Sequence, residues 1–215
     1  MKKLMILLFA GAIAMAFTVY AQTTKINPGK TDSCYSKAEI DLQLNMRKLW
    51  EDHIVYTRSY ITSALAGLED EDAVSQRLLK NQDDIGKAIK PYYGQDAADR
   101  LAALLKDHIL IATEVVKAVK AGNKENLDNA NKRWHANGDE IAIFLSSANP
   151  KWGKKDLADM MNGHLNLLTD QVIARNKKSW AADIAAYDKG HTHILKFADE
   201  LTGGIVKQFP GKFEK

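Results

Sequence analysis

Apolar residues flank a histidine at helical spacing three times along the chain, in LWEDHIVYTR (Leu49 to Arg58), LLKDHILIAT (Leu104 to Thr113) and MMNGHLNLLT (Met160 to Thr169). Side chains three and four residues apart share one face of a helix. Leu104, Leu105, Ile111 and Ala112 therefore surround His108, and Met160, Met161, Leu167 and Leu168 surround His164. His53 has Leu49, Trp50, Tyr56 and Thr57 in the same places. All three imidazoles are expected to point into a core.

The same periodicity lays out six helices. Ser36 followed by Glu39 is a capping box that opens the first, which runs to about Gly67. Acidic residues 69–72 start a second, and Pro91 is expected to end it. Gln95 to Lys120 forms a third, with Asp96 as its cap and Gly122 as its stop, and Asn123 caps a fourth that reaches Pro150. A fifth spans about Lys155 to Arg175, and a sixth about Ser179 to Gln208. Strand-like alternation and Asn-Gly hairpin turns are missing, so the fold class is all-α: a bundle of about six helices arranged as three hairpins.

Three endings, PYYG from Pro91, PKWG from Pro150 and PGKF from Pro210, close those pairs and point to an internal repeat. A polar residue follows each histidine on the second helix of its pair: Asn81 after His53, Asn137 after His108 and His191 after His164. The midpoint of each pair falls at a predicted turn, so the members of each pair are expected to face one another.

The resulting inner polar set is His53, Asn81, His108, Asn137, His164, Asp188 and His191. Buried polar groups are costly unless paired, so this layer must satisfy itself or hold something. Imidazoles with one carboxylate suit zinc, iron or copper, which makes His53, His108, His164, Asp188 and His191 the candidate metal ligands. Asn81, Asn137, Asp84, Asp107 and Glu140 are candidates to pair with or orient the rings. The competing reading is a staple, with histidine bonded to asparagine in each of the first two pairs and no ligand. His191 and His193 lie on different faces of one helix, so at most one points inward; His191 is taken as that one, and His135 as surface. Phosphate-binding loops, nucleophile elbows and H-E-x-x-H are absent.

Lys2 and Lys3 precede an apolar run that ends in small residues near Ala21, the pattern of an export signal rather than a membrane anchor. The organisation expected is a signal over residues 1–21, a polar tether over 22–35 and a single helical domain over 36–215, exported to the periplasm or beyond. The formal charge of +3 falls to about +1 once the signal is removed, which argues against electrostatic nucleic-acid binding. Cys34 is the only cysteine, so no internal disulfide supports the fold.

WEDHIVYTR from Trp50, LLKNQDDIGKAIKPYYG from Leu78, LLKDHILIA from Leu104 and GGIVKQFP from Gly203 together resemble a family of small exported bacterial helical proteins of uncharacterised function. The resemblance spans nearly the whole mature chain and implies export and a helical fold. Names attached to members, such as acetylglutamate kinase or glycosyltransferase, imply motifs that this chain lacks, and no catalytic residues come with the likeness. Three functions stand open: a protein that binds a transition metal or small ligand at its histidine layer, a non-catalytic scaffold with His-Asn core pairs, and a metal-dependent enzyme.

Overall fold

The computed structural model describes residues 35–214, and these form an all-helical bundle with no strand among them. The expected signal and the expected tether up to and including Cys34 lie outside the described residues. Five helices follow in order: α1 (Lys37–Ala66), α2 (Glu71–Ala121), α3 (Lys124–Ala148), α4 (Lys154–Asn176) and α5 (Trp180–Gln208), with a 3-10 turn at Pro210–Lys212. None of them is long and apolar enough to cross a membrane. Local chemistry accounts for the ends. Ser36 Oγ accepts from the Glu39 amide at 3.1 Å to start α1, and Asn123 Oδ1 accepts from the Asn126 amide at 3.0 Å to start α3. Gly67 and Gly122 close α1 and α2 in left-handed conformations.

The expected second and third helices join through Gly94 into α2, so five helices are counted among the described residues where six were expected. Pro91 does not stop the chain; the break comes three residues later, where Gly94 adopts φ 83° and ψ 177° inside otherwise helical backbone. That region of backbone space is essentially open to glycine alone, so Gly94 turns the chain while Tyr92 and Tyr93 stay helical. The two halves of α2 lie side by side across that turn, with Gly86 against Ala98 and Ala102 and Lys106 Nζ 2.6 Å from Asp83, so they pack as two helices joined through Gly94.

Each helix packs on the next, and α5 returns to pack on α1, so the bundle closes on itself. Its core is one continuous apolar cluster that includes Met46, Ile54, Ile85, Leu105, Ile141, Leu165, Phe197 and Ile205. At one end Tyr93 donates to Gln208 at 2.8 Å and accepts from Asn149 at 2.9 Å, tying the PYYG and PKWG breaks to the C-terminal end of α5. Trp152 lies so close to Gly204 that a Cβ there would fall 1.8 Å from its Nε1. On the α1–α4–α5 seam, buried Asp183 accepts from Arg58 at 3.0 and 3.3 Å and from Arg175 at 2.8 Å.

Candidate functional site

α1, α2 and α4 each contribute one histidine to the walls of the same interior cavities. His53, His108 and His164 are 2%, 2% and 3% exposed. The His164 ring centre lies 5.6 Å from that of His53 and 6.1 Å from that of His108. Trp50 sets its edge against His53, and Trp134 lies 5.3 Å from His108.

The three rings differ in how they are held. His108 donates from Nδ1 to Asn137 Oδ1 at 2.8 Å, and the Asn137 amide donates onward to Leu104 O at 3.1 Å. Since an amide oxygen only accepts, His108 carries its proton on Nδ1, and its Nε2 lone pair is buried without a hydrogen-bond partner. His53 is held less firmly. Gln82 Nε2 has two hydrogens and three acceptors in reach, Leu78 O at 2.8 Å, Asn81 Oδ1 at 3.2 Å and His53 Nδ1 at 3.4 Å, so the longest is the one left weak. For His164 neither ring nitrogen has a partner among the described residues.

Burial decides the charge. Loss of hydration pushes the His53 imidazolium down to about 3 and that of His108 to about 4, and His164 falls well below the usual value, with the other rings adding repulsion. At neutral pH all three rings are therefore uncharged, and each keeps one unprotonated nitrogen. Two small cavities adjoin the layer, of about 20 Å³ and about 10 Å³. Each is of the order of one water molecule, far too small for an organic molecule. Their walls include all three histidines, with Tyr60 and Thr57 on one side and Met160, Met161 and His193 on the other.

Two expected ligands do not join the layer. Asp188 is exposed and lines an open surface groove. His191 turns toward α1, where its Nε2 lies 3.3 Å from Glu51, with Tyr187 beside it. The inward stripe of α5 is centred on Gly190, Ile194, Phe197 and Leu201, which leaves His191 on the flank facing α1. His193 occupies the other flank, donates from Nε2 to Met160 O at 2.8 Å and lines the smaller cavity. A signal for it was present in the sequence: His193 follows His164 by the same interval at which Asn137 follows His108.

The remaining partner candidates separate in the same way. Asn137 pairs with its histidine, whereas Asn81 donates to Leu49 O at 3.0 Å and leaves the neighbouring Gln82 to approach His53. Asp84 faces Lys80 and Lys87, and Asp107 and Glu140 are exposed around a shallow surface depression, so none of the three orients a ring. Among the described residues no three His, Cys, Asp or Glu side chains are arranged to hold a metal ion as they stand. No family model, curated protein or solved structure matches the chain, so geometry and chemistry carry the functional reading.

Proposed function

We propose that the chain is a metal-binding helical bundle in which His53, His108 and His164 hold a transition-metal ion. One observation carries this reading: His164 is buried between two other imidazoles, with both nitrogens unpartnered. Leaving such groups unpaired costs on the order of 1–3 kcal/mol each, and an ion would convert that cost into coordination bonds. Three imidazole nitrogens at ~2.0–2.1 Å from one ion set their ring centres about 5 to 5.5 Å apart. The separations of 5.6 and 6.1 Å lie within an ångström of that. Coordination then requires the rings to draw slightly together and aim one nitrogen each at a common point, a motion about soft side-chain torsions. The small cavities favour an ion over an organic ligand.

A threefold repeat and export through the N-terminal residues belong to the same proposal. The repeat is supported by one bond made three times. Leu49 O, Leu104 O and Met160 O, each four residues before a layer histidine, accept from Asn81, Asn137 and His193. Contacts between successive units recur as well: Lys120 donates to Ala64 O, and Asn176 to Val119 O, at matching distances from the histidines.

A scaffold without a ligand is the second reading, favoured by the His108–Asn137 bond, which satisfies one ring without any ion. Elemental analysis of tag-free protein, repeated on His108→Ala and His164→Leu, separates the two. Stoichiometric metal lost in both variants supports the proposal. Metal-free protein that cannot be loaded at neutral pH leaves the scaffold.

A further inference from the structure

Resting on that reading, we infer that the ion is monovalent copper, coordinated by the three imidazoles with the thioether of Met161 beside them. The first argument is charge. Neither cavity wall contains a carboxylate, thiol, lysine or arginine among the described residues. In the metal-free fold burial raises the Tyr60 phenol to about 12, so it supplies no charge before an ion enters. The cost of dehydrating an ion rises with the square of its charge, so a divalent ion in this dry, uncompensated site is roughly fourfold more costly to bury than a monovalent one.

The second argument is softness. Met161 is 5% exposed, lies three residues before His164 on the same face of α4, and lines the smaller cavity together with all three histidines. Thioethers and imidazoles suit cuprous copper, whereas magnesium, calcium and manganese call for the oxygen donors missing here. Zinc would need a fourth group, an anion or a bound hydroxide, to complete a tetrahedron and offset its charge. Cupric copper prefers a tetragonal set of nitrogen and oxygen donors, and these walls offer no such oxygen beyond the Thr57 and Thr113 hydroxyls and the neutral Tyr60.

The test titrates the whole chain, metal-free and without an affinity tag, with Cu(I) under anaerobic conditions against bicinchoninate, a coloured cuprous chelator. Zn(II) and Cu(II) are titrated in parallel. The expected result is one Cu(I) per chain, with both divalent ions held more weakly. X-ray absorption of the copper form then reports nitrogen donors with a sulfur scatterer. Met161→Leu, which keeps the side-chain volume, removes that scatterer and weakens Cu(I) by about tenfold or more, with helical circular dichroism unchanged. Zn(II) or Cu(II) bound as tightly as Cu(I), and abolished by His164→Leu, overturns the copper assignment but leaves the histidine site. Unchanged Cu(I) affinity in Met161→Leu overturns Met161 as a ligand. Failure of all three ions to bind overturns both this inference and the function it rests on.

Discussion

On the α1–α4–α5 seam Asp183 is 1% exposed, and both its carboxylate oxygens are taken up by Arg58 and Arg175. In the histidine layer His164 is 3% exposed, and neither of its nitrogens is taken up among the described residues. The two clusters sit in the same bundle and are equally dry at their centres, yet one is complete and the other is not. Arg58 stacks over Tyr187 and Arg175 approaches Trp180, so the guanidiniums remain partly hydrated while they clamp the acid. This chain satisfies a buried charge with one partner eight residues away and another 125 residues away. Unpaired nitrogens in the histidine layer are thus a property of that site, which is why they are read as donors toward an ion.

Acid exposes the contrast most strongly. Above about pH 6.5 the three histidines are neutral whether the metal-free chain is folded or not, and they give no pH dependence. Below it the unfolded chain takes up protons that the folded layer refuses. Stability should therefore fall by about 1.4 kcal/mol per pH unit for each histidine, about 4 for the three together, until the pH nears the folded values of about 3 and 4 for His53 and His108. Denaturant midpoints taken between pH 7 and 4 check this, and a flat profile would show that the layer takes up protons without unfolding.

Asp183→Ala leaves two arginines facing a dry seam, and about 3 kcal/mol of stability should be lost. Metal stoichiometry should not change under conditions where the variant stays folded. Asn137→Ala strands the His108 ring N–H and removes the second bond to the Leu104 carbonyl, with a smaller loss of about 1–3 kcal/mol, and metal should bind some 10- to 100-fold more weakly. For His164→Leu the sign reverses: the metal-free protein should gain about 1 kcal/mol, because unpartnered polar atoms leave the core, while metal binding disappears. A clear loss of stability would instead reveal that His164 is paired. The smallest effect is expected at His191 and Asp188. Their alanine variants should stay within about 0.5 kcal/mol of the parent and bind metal unchanged; lost metal there would return them to the donor set.

Helix starts at Ser36 and Asn123, and stops at Gly67 and Gly122, were legible because capping is settled within four residues. The inward direction of His53, His108 and His164 was legible because each sits at the centre of an apolar stripe. Pro91 misled, since a proline forbids one backbone hydrogen bond but does not say whether a nearby Gly94 will carry the turn. His191 misled for a different reason. It and His193 lie on opposite flanks of the α5 stripe, and sequence alone does not show that α1 covers one flank and α4 the other. Gln82 was hidden in the same way, one position from the asparagine that the interval singled out.

By itself the sequence determined an all-helical chain with an imidazole at the centre of three apolar stripes, because period, caps and breaks act over a turn or two of backbone. Only the tertiary structure decided that α2 runs through its proline, that His193 and Met161 border the layer while His191 and Asp188 leave it, and that Arg58 and Arg175 meet Asp183. Those outcomes depend on which helix lies beside which flank, and that arrangement comes from packing the whole bundle at once.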